Sequence, residues 1–437
     1  MSRVATGHST ALLTDHYELT MVQAALRSGA AHRRSVFEVF ARRLPEGRRY
    51  AVLAGTGRLL DAIERFRFGD EEVEALRIGK VVDEATCEWL AGYRFSGDIS
   101  GYAEGECWFP GSPVLVVESS FAEGVVLETL VLSILNHDSA IASAASRMTV
   151  AAGDRPCIEM GSRRTHEEAA VAAARAAYIA GFATTSNLEA GRRFGVPTAG
   201  TAAHAFTLLH DSERDAFEAQ VDSLGAGTTL LVDTYDVMQG VRTAVEVAGP
   251  SLGAVRLDSG DLLQQAREVR TLLDSLGATA TRIVVTSDLD EYAIASLASA
   301  PVDAYGVGTQ LVTGSGAPTA GMVFKLVSRE DGAGVMHDVE KKSESKASVG
   351  GRKWAMRRLS SRGVAEAEVL GLGERPHNDG DDRPLMVELV RGGEVRPGGG
   401  MQAARERHGA SRAELPAKAL QLQRGEVAIP TVYERES

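Results

Sequence analysis

The sequence predicts an α/β protein in which an N-terminal α+β part is followed by alternating short strands and helices. Residues 1–125 combine helical periodicity with short strand-like runs that are separated by Gly and Pro turns. Further along, apolar strand-like runs recur roughly every 25 to 50 residues, the spacing of parallel strands joined by crossover helices. A chain of 437 residues that is 44% apolar is long enough to bury the cores of two or more domains.

The N-terminal part, residues 1–125, is predicted to open with a helix. Asp15 and Glu18 resemble a capping box, which places the start of this helix. The following stretch SVFEVFARRLP alternates apolar and polar residues, which predicts a half-buried strand. A helix over residues 53–66 and several short strands over residues 97–120 complete the predicted α+β domain.

The middle part, residues 126–330, is predicted to form an α/β barrel or an open parallel sheet. It begins with a long Ala-rich helical segment, and its predicted strands lie in GFATTSN, TTLLVDTYD, GAVRLDSGD, RIVVTSDLDE and VDAYGVGT. Each of these strands ends in Asp, Ser, Thr, Asn or Gly. Because both architectures collect ligand-binding groups at the carboxyl ends of their strands, we expect the functional site there.

The last part, residues 331–437, is predicted to pack back on the N-terminal domain and complete it. The basic stretch EKKSESKASVGGRKWAMRR predicts an exposed loop that leads into a strand. The stretch RPLMVELVRGGEVRP predicts a hairpin that turns at Gly392 and Gly393. A helical tail over residues 402–420 follows.

The charge and the cysteines restrict the class of protein. A net charge of -12 and an isoelectric point near 5.4 argue against nucleic acid or an anionic membrane as partner. Cys87, Cys107 and Cys157 are widely spaced and odd in number, which favours a reducing compartment. The N-terminus has no uninterrupted apolar segment, and Glu128 interrupts the most apolar later run. We therefore expect a cytoplasmic protein without a membrane span.

Six motifs along the chain hold residues that are suited to chemistry. They are LTDHYELTM at 13–21, GSRR at 161–164, TSN at 185–187, GTAAHA at 200–205, RLDSGD at 256–261 and GVGT at 306–309. Together, and in this order, they resemble the nicotinate phosphoribosyltransferase family over nearly the whole chain. A single motif of this kind is weak evidence, whereas six in order are strong evidence.

The resemblance implies the fold of the type II phosphoribosyltransferases. That fold is an irregular α/β barrel with an N-terminal α+β domain completed by C-terminal segments, assembled as a homodimer with shared active sites. The resemblance also implies a reaction of NAD biosynthesis, in which nicotinate and phosphoribosyl pyrophosphate give nicotinate mononucleotide and pyrophosphate. ATP is expected as a co-substrate through a phosphohistidine, and Mg²⁺ as the metal ion.

The catalytic residues follow from the same motifs. His204 matches the phosphorylated histidine of the family, and a neutral imidazole is a competent nucleophile near neutral pH. The alternative is a structural histidine that satisfies a loop carbonyl. Asp258 is expected to be catalytic, and Asp258 and Asp261 suit the ribose diol or a hydrated Mg²⁺. An ion pair between Arg256 and an Asp of the same loop remains the alternative for these residues.

Nicotinate is expected to contact residues of five motifs. The resemblance implies that Arg256 binds the carboxylate of nicotinate, because a guanidinium offers two parallel donors. It also implies that Thr201 and Tyr17 contact the pyridine, and that Tyr17 does so from the other subunit of the dimer. Arg164 suits an anion and Ser186 does not repel one. For Tyr17 the alternative is core packing, and for Arg164 a solvated position before a helix.

The phosphoribosyl group is expected at the carboxyl ends of the last strands. Small residues let backbone N–H groups approach a phosphate, which favours Gly306 and Gly308, and Thr309 matches a family threonine that touches the ribosyl phosphate. Ser287 and Asp288 are predicted to complete the pocket. An ordinary helix N-cap is the alternative explanation of the SDLDE sequence.

Other enzymes and a non-enzyme remain as alternatives. A nicotinamide phosphoribosyltransferase carries a carboxylate near the position of Ser186, so the hydroxyl here favours the acid as substrate. A dicarboxylate such as quinolinate would require a denser basic pocket. A catalytically silent regulatory paralogue is expected to have lost His204, Arg256 or Asp258, all of which are present.

Two positions depart from the pattern of the family. His16 stands where an aliphatic residue is usual, and Gly350 and Gly351 stand where Pro-Gly is common. The second departure affects the expected closure of the loop with Lys346 and Lys353 over the substrates.

Overall fold

The structure is a computed structural model that describes residues 8–341 and 349–434. The chain forms two compact units, Met1–Ala140 with Thr319–Ser437 as the first and Ile141–Pro318 as the second. These units divide at positions that differ from the predicted domain boundaries, 125/126 and 330/331. A division into two compact units does not test a division into three parts, so the predicted domain boundaries stay predictions.

The described residues contain helices and strands in the following chain order. The helices are α1 (His16–Ser28), α2 (Thr56–Glu64), α3 (Asp70–Ile78), α4 (Glu84–Ala91), α5 (Phe121–Val125), α6 (Glu128–Ala152), α7 (Glu167–Ile179), α8 (Leu188–Phe194), α9 (His204–Leu209), α10 (Glu213–Leu224), α11 (Val237–Ala248), α12 (Leu262–Ser275), α13 (Glu291–Ser296), α14 (Thr309–Val312) and α15 (Gly400–Ala413), with a 3₁₀ turn at Ala417–Leu420. The strands are β1 (Arg34–Ala41), β2 (Ala51–Val52), β3 (Asp98–Tyr102), β4 (Cys107–Trp108), β5 (Leu115–Ser120), β6 (Cys157–Glu159), β7 (Thr184–Thr185), β8 (Thr229–Leu231), β9 (Ala254–Leu257), β10 (Arg282–Val285), β11 (Ala304–Val307), β12 (Met322–Glu330), β13 (Met336–Asp338), β14 (Lys353–Leu359), β15 (Ala365–Leu372), β16 (Arg383–Pro384), β17 (Met386–Arg391), β18 (Glu394–Val395) and β19 (Thr431–Tyr433).

The first unit is built on an antiparallel sheet with the order β13-β12-β1-β5-β3-β17-β18. Strand β1 lies between β12 and β5, and Phe37 of β1 stacks on Phe324 of β12 with 5.0 Å between ring centroids. The prediction of a half-buried strand was wrong for β1, because most of its residues on both faces are buried. Strands β13, β17 and β18 lie within residues 331–437, so this C-terminal part adds strands to the N-terminal sheet. Strand β12, which pairs with β1, lies instead at the end of the predicted middle part.

The first helix begins as predicted but not by the predicted cap. Asp15 is the N-cap residue of α1, yet its side chain accepts no hydrogen bond from the helix. Glu18 is fully buried and accepts from the backbone N–H of Thr129 at 3.0 Å and from the hydroxyl of Thr14. Glu18 therefore holds α1 against the start of α6, and this tertiary contact replaces the capping box.

The C-terminal part of the first unit adds a second sheet with the order β16-β14-β15-β19. The predicted hairpin at Gly392 and Gly393 forms from β17 and β18. Lys353, expected on a loop that closes over substrates, is buried at the start of β14, where Nζ lies 2.7 Å from Glu38 Oε2. Burial in an ion pair corrects the expectation for this lysine, while Lys346 lies outside the described residues.

The second unit contains six parallel strands in the order β7-β6-β11-β10-β9-β8, with helices between them. This arrangement is an incomplete barrel and confirms the predicted α/β fold. Strand β6 was not predicted, although it lies inside the sheet between β7 and β11. Because all strands are parallel, their carboxyl ends lie along one edge, where the polar strand ends meet.

One helical segment, Phe121–Ala152, is long and apolar enough to cross a membrane by length and composition alone. Within the protein, 61% of its most apolar window is buried. A buried core helix meets the same criteria as a membrane span, and the burial explains the apolar sequence here.

Candidate functional site

A cavity of about 490 Å³ opens at the carboxyl edge of the parallel strands in the second unit. Most of the predicted site residues line it. These are Arg164, Ser186, Thr201, Arg256, Asp258, Ser287, Asp288, Gly306, Gly308 and Thr309. The structure thus brings together five of the six motifs, which are separated by up to roughly 150 residues of chain, as expected for an active site on strand ends.

The imidazole of His204 lies beside two carboxylates at this edge. Nδ1 is 3.1 Å from the hydroxyl of Thr234, and Nε2 is 3.8 Å from both Asp233 Oδ1 and Asp258 Oδ2. The His204 side chain is 40% exposed, so one nitrogen is held by the protein while the ring stays accessible. This arrangement differs from that of a structural histidine bound to a loop carbonyl.

Asp233 is a site residue that the sequence analysis did not single out. Its side chain is 1% exposed, and Oδ2 accepts from the backbone N–H of Asp258 at 3.0 Å and from the hydroxyl of Ser259 at 2.8 Å. Oδ1 is buried without a hydrogen-bond partner among the described residues. Asp233 therefore orients the loop after β9 and leaves one carboxylate oxygen facing His204.

Arg256 is held in the cavity by one end of its guanidinium group. One terminal nitrogen donates to the hydroxyl of Thr201 at 3.1 Å and to the carbonyl of Ala202 at 3.2 Å. The Nε–H is buried and has no hydrogen-bond partner within the described residues. The other terminal nitrogen lies 4.0 Å from Asp258, which is too far for a hydrogen bond. The alternative, an ion pair between Arg256 and an Asp of the same loop, is therefore present only as this long contact.

The environment of Arg256 favours an anion. Burial lowers the pKa of its guanidinium, and the nearby Arg163 lowers it further, while Asp258 and Asp233 act in the opposite direction. A buried donor without a partner costs free energy. An anionic ligand would satisfy this donor and reduce the repulsion between the two arginines.

The GSRR loop follows β6 and contributes two exposed arginines to the cavity. Arg163 and Arg164 both line it, and neither makes an ion pair within the described part of the chain. A Cβ atom at Gly161 would collide with the side chain of Val312. Glycine is therefore required where this loop passes close to α14.

Gly306 near the end of β11 and Gly308 just after it bring backbone close to the cavity. A Cβ atom at Gly306 would collide with Thr286 and Met160, and Gly308 precedes the short helix α14 that begins at Thr309. Gly306, Gly308 and Thr309 all line the cavity. Glycine at 306 is therefore required by close packing against Thr286 and Met160, and the phosphate contact expected at these residues stays a prediction.

The loop after β10 shows which carboxylate caps the next helix. Asp290 accepts from the backbone N–H groups of Tyr292 and Ala293 at 2.9 and 2.7 Å, so it is the N-cap of α13. Asp288 instead lines the cavity together with Ser287. The N-cap alternative therefore accounts for Asp290 and leaves Asp288 for a ligand.

Ser287 has a strained backbone, and we expect Ser287→Gly to stabilise the protein. Its φ of 117° lies in a region that glycine adopts readily and other residues rarely do. Relief of this strain is expected to raise the free energy of unfolding by roughly 1 kcal/mol relative to Ser287→Ala, which loses the hydroxyl but keeps the strain. Urea unfolding of both variants measures the difference, and equal stabilities would contradict the strain.

Three predicted site residues do not line this cavity: His204, which follows the lining residue Ala203, Asp261 and Tyr17. Asp261 is the N-cap of α12 and accepts from the backbone N–H of Gln264 at 3.1 Å. Tyr17 lies in the first unit at the start of α1, where burial and Glu128 raise the pKa of its phenol to about 12. No group of three or more His, Cys, Asp or Glu side chains suited to a metal ion occurs in the described residues.

A cavity at the carboxyl ends of parallel strands, lined by several arginines, is typical of α/β enzymes that act on anionic small molecules. Comparison with known proteins makes the assignment more specific. The chain is 60% identical over 429 residues to nicotinate phosphoribosyltransferase pncB1 of Mycobacterium tuberculosis, covering 96% of this chain and 94% of that protein. The chain belongs to the nicotinate phosphoribosyltransferase family.

Further comparisons agree with this assignment. Residues 12–136 match the family model described as the nicotinate phosphoribosyltransferase (NAPRTase) N-terminal domain. The nicotinate phosphoribosyltransferase of Bacillus subtilis is 37% identical, covering 85% of this chain and 78% of that protein. The crystal structure of human nicotinic acid phosphoribosyltransferase superposes with a TM-score of 0.82 at 26% identity, covering 97% of each chain.

Proposed function

We propose that this protein transfers a phosphoribosyl group from phosphoribosyl pyrophosphate to nicotinate, giving nicotinate mononucleotide and pyrophosphate in NAD biosynthesis. The observation that carries the proposal is Arg256, whose buried Nε–H has no hydrogen-bond partner among residues 8–341 and 349–434 and lies in a cavity that is also lined by Gly308 and Thr309 after β11. The guanidinium suits the carboxylate at one end of nicotinate mononucleotide, and backbone N–H groups in the same cavity suit the phosphate at the other end.

In this proposal the carboxylate of nicotinate binds to Arg256. The Nε–H and the terminal nitrogen that is not bound to Thr201 form the edge for two parallel hydrogen bonds. Thr201 contacts the pyridine, while Ser186 and Arg164 lie in the same cavity lining and supply a hydroxyl and a positive charge. Tyr17 is proposed to reach the pyridine from the second subunit of a homodimer.

The ribosyl phosphate is proposed to lie against the loop after β11. Backbone N–H groups at Gly306 and Gly308 and the hydroxyl of Thr309 are suitable donors for its oxygens. Ser287 and Asp288 lie in the same lining and suit the ribose hydroxyls, which accept from a serine and donate to a carboxylate.

The reaction requires no general base. The lone pair of the pyridine nitrogen forms a bond to the anomeric carbon, while the bond from that carbon to the pyrophosphate oxygen breaks and pyrophosphate leaves with the electron pair. Positive charge develops on the ribose ring during this exchange. The protein must therefore align the two substrates and compensate charge, for which the arginines and the carboxylates of the cavity are suited.

ATP is proposed to act through His204. A ring nitrogen of His204 attacks the terminal phosphorus of ATP, and the bond to the ADP oxygen breaks, which leaves a phosphohistidine and ADP. Thr234 holds Nδ1, and Nε2 faces Asp233 and Asp258, so Asp258 is placed to orient or stabilise the charged imidazole. Hydrolysis of the phosphohistidine would favour formation of the mononucleotide.

The carboxylates near His204 also suit Mg²⁺. Within the described residues, Asp233 Oδ1 is buried without a hydrogen-bond partner, and Asp233 Oδ1 and Asp258 Oδ2 each lie 3.8 Å from Nε2 of His204. Mg²⁺ binds through one or two carboxylates together with substrate phosphates, and it would neutralise charge on the pyrophosphate. Asp261 remains a candidate ligand, although its carboxylate caps α12.

Turnover of nicotinate with phosphoribosyl pyrophosphate tests the proposed reaction, and labelling tests His204. Incubation with ATP labelled on its terminal phosphate is expected to give an acid-labile phosphoryl group that His204→Ala loses. His210→Ala is the matched control, because His210 follows α9, where its Nδ1 contacts the carbonyl of Phe206 and its ring packs on the Phe206 ring. Nicotinamide turnover in place of nicotinate would support the alternative substrate, and equal labelling of His204→Ala would contradict the phosphohistidine.

The remaining expectations belong to the same proposal. Small molecules are the expected partners apart from a second copy of the chain, with no nucleic acid and no membrane. The net charge of -12 and the three cysteines, which are buried and form no disulfide, support a cytoplasmic protein.

A further inference from the structure

Glu159, the last residue of β6, is a buried carboxylate directly behind the cavity. It is 1% exposed and makes no ion pair within residues 8–341 and 349–434. Oε1 accepts from the backbone N–H of Gly161, and Oε2 accepts from the hydroxyl of Thr185 on the neighbouring strand β7. One side chain thereby joins two loops that arise from different strands.

The contacts extend from Glu159 to the residues that line the cavity. The hydroxyl of Thr185 also accepts from the backbone N–H of Asn187 at 2.9 Å, and the amide nitrogen of the Asn187 side chain donates to Ser162 at 3.0 Å. The backbone carbonyl of Glu159 accepts from the N–H of Ser186 at 2.8 Å. The segments 161–164 and 185–187 are therefore fixed to each other through Glu159.

A carboxylate in this position is costly. Burial raises the pKa of Glu159, while the hydrogen bonds from Thr185 and Gly161 oppose the shift. A buried charge without a cation is less favourable for stability than an apolar side chain of similar volume. We explain this cost by the two donors that the carboxylate of Glu159 orients, the backbone N–H of Gly161 and the hydroxyl of Thr185.

We propose that Glu159 is a positioning residue that sets the affinity for nicotinate by holding Arg164 and Ser186 on the same side of the cavity. The inference rests on the proposed function, since Arg164 and Ser186 are its candidate contacts for the pyridine acid. Glu159 does not line the cavity and acts only through the loops. Its loss is therefore expected to change the KM for nicotinate more than kcat.

Thr184 and Thr185 supply a matched pair of variants for the test. Thr185→Val removes the donor to Glu159 and the acceptor for Asn187 with little change in volume. Thr184 is adjacent on β7, and its buried hydroxyl has no hydrogen-bond partner in the described residues, so Thr184→Val removes no contact. Glu159→Gln keeps the size of the side chain and replaces one acceptor by a donor.

Steady-state kinetics of these variants gives the result. We expect Thr185→Val and Glu159→Gln each to raise the KM for nicotinate by about tenfold, with kcat and the KM for phosphoribosyl pyrophosphate changed by less than about threefold, because misplaced contacts weaken binding. Thr184→Val is expected to match wild type. The double variant is expected to resemble the single variants, since both changes break the same contact.

Two outcomes would overturn the inference. Either Thr185→Val and Glu159→Gln keep the KM for nicotinate within about twofold of wild type, or Thr184→Val raises it as much as Thr185→Val does. Calorimetric titration with nicotinate gives an independent affinity for each protein. An active wild type with unaffected variants contradicts the role of Glu159 alone, whereas a wild type that neither turns over nor binds nicotinate contradicts both proposals.

Discussion

Arg256→Lys is expected to lower kcat/KM for nicotinate by about 30- to 150-fold. Lysine keeps the positive charge but offers a point charge in place of two parallel donors, and the loss of a bidentate contact costs roughly 2–3 kcal/mol. Lysine also loses the geometry that fixes Arg256 to Thr201 and Ala202. Steady-state kinetics at varied nicotinate measures the change.

A second arginine on the neighbouring strand is the control for Arg256. Arg282 lies at the amino end of β10, away from the carboxyl ends that form the cavity, and its side chain makes a 3.5 Å contact from Nε to the carbonyl of Gly253. Arg282→Lys is expected to leave kcat/KM unchanged. Equal effects of the two substitutions, or none for Arg256→Lys, would show that Arg256 does not recognise the carboxylate.

Arg357→Met is expected to lower the free energy of unfolding by about 3–5 kcal/mol. The guanidinium is 0% exposed, and one terminal nitrogen donates at 2.7 Å to both Glu368 and the carbonyl of Cys107. The other lies 3.6 Å from Glu106 and from Glu414. Removal of this cation leaves the fully buried Glu368 without a positive partner, the costly way to break a buried ion pair.

Urea unfolding with two further variants separates charge from packing at Arg357. Arg358→Met is the matched control, because Arg358 is the adjacent residue, is 43% exposed, and lies 3.7 Å from Asp382. It is expected to change stability by less than about 1 kcal/mol. Adding Glu368→Gln to Arg357→Met is expected to restore part of the loss, and no recovery would indicate that lost packing rather than unpaired charge is responsible.

The fold was predictable where the sequence pattern is local. The alternation of strands and helices predicts the parallel sheet, and the Gly392–Gly393 turn predicts the hairpin of β17 and β18. Strand β6 was missed because its three residues directly follow Pro156 and end in a glutamate, so no apolar run marks them as TTLLVD marks β8. The capping box at Asp15 failed because a distant residue, Thr129, competes for the Glu18 carboxylate.

The site was predictable where a residue type and a strand end coincide. Arg256 lies near the carboxyl end of β9, and Asp258 and Thr309 follow apolar strands, so the topology brings them to one edge. Asp233 and Glu159 were missed for a different reason, since their importance depends on which strands are neighbours. The pairing of β6 with β7 and of β8 with β9 creates these contacts, and neither pairing can be predicted from the sequence of one strand.

The central claim is that one cavity in the second unit holds both ends of the product. A crystal structure with bound nicotinate mononucleotide tests this claim most directly. We expect the pyridine carboxylate at the Nε–H edge of Arg256 and the phosphate at the backbone of Gly308 and Thr309. A mononucleotide bound away from the lining of this cavity, or bound in it with no contact to Arg256, would contradict the account.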